Sequence, residues 1–234
     1  MTLIIVKPTG GQLVISSSSI VTSGLVLNLD AGNTASYPGS GTTWTDLSGN
    51  GNNGTLTNGP TYNSANYGSI VFDGSNDYVA LPSIDTNSNF TLNFWVKSSS
   101  DGSPTIFSGN AASGYLQIRM YSSLSIYGGS ISLVKSFVAE LGNFGSSTAT
   151  TLNSIHNITI TKSGTTFSAY VNGNFKNTLT VAQTFTTTGQ TLGINTSNSE
   201  PFSGNIYSFS YYNRALSAAE VSQNFNALRY RYGI

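Results

Sequence analysis

The stretch Phe90-Thr91-Leu92-Asn93-Phe94-Trp95-Val96 alternates in a way that determines the fold class. Its four even-numbered residues are all apolar. A period of two places them on one face of a β-strand, because successive side chains in a strand point to opposite sides. Trp95 falls on the other face, where either a second packed layer or a ligand surface would explain it. The stretch therefore predicts a strand of a β-sheet protein.

The same alternation recurs further along the chain, at residues 158–161 and 167–171. The pair Asn172-Gly173 follows the second of these runs and precedes residues 174–176. An Asn-Gly pair supplies the positive φ angles of a type I′ turn, so it predicts a tight hairpin. From Leu25 onward, short β-type runs alternate with clusters of Gly, Asn and Ser. This spacing is typical of a sandwich or a barrel.

A single helix is predicted near the carboxyl end. Ser217 is followed three residues later by Glu220, a capping box in which both side chains satisfy backbone donors at the start of a helix. Apolar residues then recur at i, i+4 and i+7, with Phe225 in the middle. We predict a helix over 217–229 that packs on the outside of the sandwich. Ser217, Glu220 and Phe225 are thus assigned structural roles.

The first 24 residues differ from the remainder. Residues 2–6 and 12–15 favour strands, and residues 16–19 are four consecutive serines typical of a flexible joint. We therefore divide the chain into an N-terminal arm, residues 1–24, and a main domain, residues 25–234. Exposed strands invite pairing with another chain, so we expect the arm to attach the protein to its own copies or to a particle. The alternative is that the arm supplies an edge strand to its own sandwich.

Composition excludes several classes of protein. The 234-residue chain has nine basic and nine acidic residues and no cysteine. It has no basic surplus for binding nucleic acid and no cysteines for a disulfide or zinc framework. No apolar run approaches the about 18 residues of a membrane span, and the apolar start ends at Lys7-Pro8, too early for a secretory signal. A surface of zero net charge tends to associate, which suits a protein within an assembly.

Catalytic signatures are weak. Glycoside hydrolysis needs two carboxylates about 5–9.5 Å apart, and Glu140, Glu200 and Glu220 stand isolated in the sequence. Asp73 and Asp77 form the nearest acidic pair in a motif, with a turn between them. There is no thiol and no nucleophile elbow. We therefore expect a protein that is not an enzyme.

His156 is the chain's one histidine. By the period of a strand it shares a face with Ile158 and Ile160. We interpret it as a hydrogen-bonded structural histidine.

One loop has the spacing of a calcium site. Asp46, Ser48 and Asn50 place oxygen atoms at every second residue, as calcium loops do. Asp73 and Asp77 are the further candidate ligands. Calcium loops usually carry more carboxylates, so the alternative is a tight loop whose side chains cap their own backbone. Calcium is the one cofactor that this pattern leaves open, and we expect no other.

Aromatic residues in polar segments are candidates for contact with sugars. They are Tyr37, Trp44, Tyr62, Tyr67, Tyr115, Tyr121 and Tyr127. The alternative is that they pack between the sheets or at subunit contacts, where Tyr and Trp are also enriched.

Four motifs together resemble a known family. They are residues 46–56, 70–79, 90–96 and 212–217 with the helix that follows. In this order they resemble the laminin-G-like domains of the concanavalin A-like lectin/glucanase superfamily. The resemblance covers roughly residues 25–234 and implies an all-β, two-sheet jelly-roll sandwich with a short peripheral helix at the carboxyl end. Glucanases of that superfamily carry Glu-x-Asp-x-Glu on one strand, which this chain lacks.

The resemblance also indicates a function. The family holds glycan binders, adhesion modules and structural proteins of virus particles, and residues 223–228 and 231–234 look like its bacteriophage virion members. We expect a non-enzymatic protein of a phage particle (a capsid decoration, fibre or tail component) at the virion surface. Its partners would be other virion proteins or its own copies as a homo-oligomer. The alternative is a carbohydrate- or receptor-binding module that engages a host cell surface.

Overall fold

The computed structural model describes residues 5–6, 14–15, 19–100, 102–109, 114–120, 131–135, 139–145, 150–185, 189–195 and 200–234. The first strands in chain order are β1 (Ile5–Val6), β2 (Val14–Ile15), β3 (Leu25–Asp30), β4 (Thr43–Trp44), β5 (Gly54–Thr57), β6 (Thr61–Asn63), β7 (Ser69–Asp73), β8 (Tyr78–Ser83) and β9 (Phe90–Ser98). The later ones are β10 (Thr105–Gly109), β11 (Leu116–Met120), β12 (Ile131–Lys135), β13 (Ala139–Asn143), β14 (His156–Ser163), β15 (Thr166–Val171), β16 (Asn174–Thr180), β17 (Gly189–Leu192) and β18 (Ser203–Tyr212). A 3-10 helix spans Ala65–Tyr67, and the helix α1 spans Ala218–Tyr232.

Two antiparallel sheets of eight strands face each other. Sheet I has the order β16-β15-β14-β9-β18-β7-β6, with β3 pairing with the part of β18 that β7 leaves uncovered. Sheet II has the order β13-β12-β11-β10-β17-β8-β5-β4. The predicted all-β, two-sheet jelly-roll sandwich with a C-terminal helix is confirmed.

The core lies between the two sheets. All four even-numbered residues of β9 from 90 to 96 are completely buried in it, as their alternation predicted. The ring centroid of Phe94 lies 5.0 Å from that of Phe209 in the same sheet and 6.4 Å from that of Phe107 in sheet II. Burial of a large apolar side chain contributes about 1.5–3 kcal/mol, so this layer of rings is a main source of stability.

The predicted hairpin joins β15 to β16. Asn172 has φ 51° and Gly173 has φ 74°, as a type I′ turn requires. The glycine has a second reason to be there. A Cβ atom at position 173 would lie 2.9 Å from Cβ of Phe225, so the missing side chain lets helix α1 approach the turn.

Helix α1 has both expected ends. Ser217 and Glu220 form the reciprocal capping box, and Gly233 ends the helix in the left-handed conformation with φ 72°. The helix runs to Tyr232, three residues beyond the predicted end at 229. The extra turn is stabilised because Tyr232 is buried. No helix in the described part of the chain is long and apolar enough to cross a membrane.

Helix α1 packs on the face of sheet I that points away from the core. Trp95 is completely buried there, stacked on Phe225 with ring centroids 5.7 Å apart and an interplanar angle of 7°. The ring of Tyr232 lies 4.5 Å from Trp95 on the same face. Of the two explanations for Trp95, the packed second layer is the one observed.

The N-terminal segment has two parts. Strands β1 and β2 pair antiparallel with each other and form a separate two-stranded sheet. The chain then contacts the main domain from Ser19, whose carbonyl accepts a hydrogen bond from Gln223 at 2.9 Å. Val21 is buried, donates to Asn224 Oδ1 at 2.7 Å and accepts from Tyr212 Oη at 3.0 Å. Residues 19–24, which the sequence assigned to the arm, therefore lie against the helix.

Candidate functional site

The carboxylate of Asp46 is surrounded by hydrogen-bond donors of its own loop and of β3. Its oxygens accept from the backbone N–H groups of Asn28 at 2.8 Å and Asn52 at 3.0 Å. They also accept from the N–H of Ser48 at 2.8 Å and its hydroxyl at 2.7 Å. Burial by itself would raise the pKa of Asp46, but the hydrogen bonds from Ser48, Asn28 and Asn52 outweigh it and lower the pKa.

The other candidate ligands of this loop also turn to backbone. The Ser48 hydroxyl, whose one proton is shared between Asp46 and Val26, lies 2.8 Å from the carbonyl oxygen of Val26, and the Asn50 side-chain amide donates to the same carbonyl at 3.1 Å. The loop thus fastens itself to β3 through its own side chains. This is the geometry of the self-capped loop that was the alternative to a calcium site.

Asp73 and Asp77 lie at the opposite end of β5. Asp77 Oδ2 accepts the N–H of Asp73 at 2.9 Å, and Asp73 Oδ1 accepts the N–H of Ser75 at 2.7 Å. Burial raises the pKa of Asp77, and the nearby Asp73 charge adds to this, while the hydrogen bond from Asp73 opposes it. The Asp46 loop precedes the first residue of β5, whereas Asp77 precedes Tyr78, the partner of the last. Four strand residues span roughly 13 Å, so the two carboxylate groups do not form one ligand set.

In the described part of the chain, no three or more His, Cys, Asp or Glu residues group together in a way that could hold a metal ion. His156 is largely buried, and its Nε2 accepts the N–H of Thr151 at 2.9 Å. Burial lowers the pKa of His156, and the hydrogen bond from Thr151 only partly opposes this. His156 is thus buried and hydrogen-bonded through Nε2, and its structural role stays a prediction.

The aromatic candidates for sugar contact separate by exposure. Tyr37, Trp44 and Tyr115 are buried, and Tyr62 is half-buried. Tyr67 is 67% exposed. Tyr121 and Tyr127 lie outside the described residues.

Sequence reasoning missed a polar cluster on the face of sheet II that points away from the core. In β11, Leu116, Ile118 and Met120 belong to the core. Because side chains alternate along a strand, Gln117 and Arg119 point to the opposite face. We call this group the Glu200 cluster, and it consists of Thr105, Gln117, Arg119, Asn195 and Glu200.

Glu200 is the centre of the cluster. Its Oε1 lies 2.6 Å from Arg119 Nη2. Its Oε2 accepts from Gln117 Nε2 at 2.7 Å and from Asn195 Nδ2 at 3.2 Å. The Glu200 carbonyl also accepts the N–H of Thr105 at 3.0 Å. The carboxylate is therefore held from several directions at once.

Two departures from regular backbone geometry occur at the cluster. Glu200 has φ 59°, in the left-handed region that few residues other than glycine adopt. The register between β10 and β11 shifts between Thr105 and Phe107, a bulge or irregularity. Bulges re-aim side chains and are common beside functional sites. Strained residues also cluster at functional sites. The bulge and the left-handed Glu200 therefore make this cluster a candidate functional site.

Two groups of the cluster lack hydrogen-bond partners. Gln117 is completely buried, and its Oε1 has no hydrogen-bond partner among the described residues. Arg119 Nε is likewise buried without one. The ion pair reaches solvent, since the Arg119 and Glu200 side chains are 21% and 24% exposed. The unused acceptor and the unused donor are therefore buried, and they belong to a cluster whose ion pair reaches solvent.

A sequence profile of the concanavalin A-like lectin/glucanases superfamily matches residues 73–222, more than half of the chain. The chain belongs to this superfamily. The match spans β8 to β18 and the first turn of the helix, and all five residues of the Glu200 cluster lie within it. A comparison with curated protein sequences gives no match.

Several solved structures share the superfamily fold. Domain 4 of AbnA, a GH43 extracellular arabinanase from Geobacillus stearothermophilus solved in complex with arabinotriose, has a TM-score of 0.69 at 17% identity and covers 86% of this chain and 98% of its own. The botulinum neurotoxin serotype D binding domain has a TM-score of 0.63 at 15% identity, covering 88% of this chain and 52% of its own. Trypanosoma rangeli sialidase has a TM-score of 0.63 at 16% identity, covering 90% and 34%. The chain thus spans about half of the toxin domain and a third of the sialidase.

Proposed function

We propose that this protein is a non-catalytic saccharide-binding module and that the Glu200 cluster is its binding site. The observation that carries the proposal is the pair of buried, unpartnered groups, the acceptor Gln117 Oε1 and the donor Arg119 Nε. Nine buried side-chain atoms of the described residues lack a partner, and two of them belong to this cluster. A buried polar group without a partner calls for an explanation. A ligand that satisfies both would supply it.

Hydroxyl groups match this requirement. A hydroxyl both donates and accepts, so a sugar hydroxyl matches the unpartnered acceptor and the unpartnered donor of the cluster in chemistry. The charges of Arg119 and Glu200 balance each other across 2.6 Å, so the cluster favours a neutral sugar over an anionic one. One structural neighbour supports the saccharide class, since AbnA domain 4 was solved in complex with arabinotriose.

The cluster lacks the second carboxylate that glycoside hydrolysis requires. Among its described members Glu200 is the one acid, and it is engaged by Arg119, Gln117 and Asn195. A hydrolase needs a general acid and a second carboxylate close to the scissile bond. Release of reducing sugar by the pure protein, abolished by Glu200→Asn, would contradict the non-catalytic assignment.

A glycan array of neutral and sialylated oligosaccharides that includes arabinotriose, followed by calorimetric titration of the best binder, tests the proposal. Glu200→Asn removes the carboxylate with a residue that tolerates the left-handed region, and Gln117→Met removes the acceptor at similar volume. We expect each change to weaken binding about tenfold or more, a loss typical of a central polar contact.

The matched control is Glu220→Gln. It disrupts the ion pair with Arg214, which has the same 2.6 Å distance at the start of the helix, and it should leave sugar affinity unchanged. A wild-type protein that binds no glycan, or cluster variants that bind as the wild type does, would overturn the proposed function.

We further infer that the module is displayed on a bacteriophage particle, as a decoration, fibre or tail component that engages a host surface. The resemblance of residues 223–228 and 231–234 to phage virion proteins supports this. So does the β1–β2 hairpin, which pairs with neither sheet of the sandwich and is available to anchor the domain. Mass spectrometry of purified particles tests the inference, which fails if the chain is not a stoichiometric component.

A further inference from the structure

Tyr67 combines two features that work against stability. Its side chain is 67% exposed, the largest exposure among the large apolar residues described. Its backbone has φ 66°, and the preceding Asn66 has φ 53°, so two consecutive residues occupy the left-handed region. A tyrosine there is a conformational outlier. An exposed ring gains little free energy from burial, so the Tyr67 side chain itself does not compensate for the strain.

The backbone of Tyr67 is held by a hydrogen bond and by close packing against Gly32. Its carbonyl accepts a hydrogen bond from Arg231 Nη2 at 3.2 Å, and Arg231 is itself fixed by a bidentate pair with Asp30 at 2.6 and 2.7 Å. Gly32 passes so close that a Cβ atom there would lie 1.8 Å from the Tyr67 oxygen. The Tyr67 ring is therefore attached to a backbone that is held in place. This lowers the entropy that would be lost when the ring binds a ligand.

Several exposed residues of the segments that carry Tyr67 and Gly32 are polar and uncharged. Asn63 is the last residue of β6 and Ser64 follows it, while Asn33 follows Gly32 in the neighbouring loop, and all three are exposed. The side-chain oxygens of Asn33 and Asn63 accept backbone N–H groups at 3.0 and 2.8 Å. This fixes both amides, and their NH₂ groups donate to no described residue. The nearest charges, Asp30 and Arg231, neutralise each other.

We propose that Tyr67 is the platform of a second saccharide site, which takes a neutral sugar. An aromatic face can cover the apolar face of a sugar ring, while amide NH₂ groups donate to its hydroxyls. A protein partner would instead require an apolar interface centre, whereas Asn33, Asn63, Ser64 and Asn66 are exposed polar residues of these segments. This site lies beside helix α1 and sheet I, whereas the Glu200 cluster lies on the outer face of sheet II. It therefore does not rest on the proposed function.

The test is affinity electrophoresis of the full chain in native gels that contain dextran, arabinan or galactan. All variants are made in the Glu200→Asn protein, so that the Glu200 cluster does not contribute to sugar binding. Tyr67→Ala in that background should lower the apparent affinity about tenfold. Tyr67→Gly should lower it equally and melt at the same or a higher temperature, because glycine adopts the left-handed region without strain. Tyr230→Ala, which removes another exposed tyrosine, is the matched control.

The outcomes are distinct. Retardation of the Glu200→Asn protein by at least one polysaccharide, lost in both Tyr67 variants and kept in Tyr230→Ala, supports the second site whether or not the Glu200 cluster binds sugar. Equal migration of the Glu200→Asn protein and its Tyr67 variants in all three gels overturns it. So does a Tyr67→Gly protein that melts lower than its parent, because the tyrosine would then be serving the fold.

Discussion

The chain has only nine basic and nine acidic residues, and several of them form ion pairs that connect parts of the fold. Arg119, Arg214 and Arg231 each lie 2.6 Å from a carboxylate oxygen. Exposed ion pairs contribute only about 0–1 kcal/mol, but the side chains of these three pairs are between 15% and 31% exposed, and each pair joins distant parts of the fold or caps an element. The Asp30–Arg231 pair connects residues 201 positions apart. This ion pair holds the end of helix α1 against the end of β3.

His156 makes the free energy of unfolding depend on pH. Burial lowers its pKa in the folded state, so the unfolded chain takes up a proton first as the pH falls through about 6.5. Stability should therefore decrease from pH 7.5 to pH 5.5 and level off below the folded pKa. Urea unfolding at the two pH values measures the difference.

The control is His156→Gln, which keeps an acceptor for the Thr151 N–H and does not titrate. The pH dependence between 7.5 and 5.5 should shrink in this variant. A dependence of the same size in both proteins would mean that another group is responsible.

Among the elements, helix α1 shows how local signals and packing combine. Arg214, with the backbone and hydroxyl of Ser217, lowers the pKa of Glu220 to about 2 and keeps the cap ionised. The helix then stacks Phe225 on Trp95. The cap determines where the helix starts, and the aromatic contact determines which face of sheet I it covers.

Phe225→Ala should destabilise the protein by about 2 kcal/mol, less than the roughly 3–5 of a fully buried phenylalanine, because Phe225 is half-buried. Gln223→Ala is the comparison on the exposed side. Gln223 donates to the Ser19 carbonyl, so a small loss near 0.5 kcal/mol is expected for one exposed hydrogen bond, roughly the lower limit of such bonds. Thermal unfolding measures both, and equal shifts would contradict the docking of the helix through Phe225.

Elements with a local signature could be predicted, and the Glu200 cluster could not. Strand β9, the Asn172-Gly173 turn and the capping box each depend on residues within a few positions of one another. Gln117 and Glu200 lie 83 positions apart and meet only when β11 and the chain before β18 fold onto one sheet. The alternation of apolar and polar residues in β11 indicates that Gln117 and Arg119 share one face of the strand. It does not indicate that the carboxylate of Glu200 contacts them. The left-handed Tyr67 has no sequence signature, since tyrosine rarely adopts that conformation.

At the scale of the whole molecule, the protein is a stack of helix α1, sheet I, the core and sheet II. The N-terminal segment joins this stack in two different ways. Residues 19–24 are held against the helix by Gln223, Asn224 and Tyr212. The β1–β2 hairpin pairs with neither sheet.

Two deletions separate these parts. Removal of residues 2–18 should leave the melting temperature nearly unchanged and should abolish self-association or particle binding, because it removes the hairpin and keeps the docked segment. Removal of residues 2–23 should also lower the melting temperature, since it takes away buried Val21 and its hydrogen bonds. Scanning calorimetry and sedimentation measure both properties. A shorter deletion that unfolds the monomer would make the hairpin part of the core.

The positions of the two tryptophans provide an optical readout of this layered architecture. Trp44 is buried in the core between the sheets, whereas Trp95 is buried beneath helix α1 on the other side of sheet I. The emission maximum of each indole should be blue-shifted while the indole is buried in its layer. It should shift to longer wavelength when water reaches the ring. A protein that keeps only Trp95 would report detachment of the helix, and one that keeps only Trp44 would report separation of the sheets. The order in which the layers open could thus be followed by intrinsic fluorescence without an attached dye.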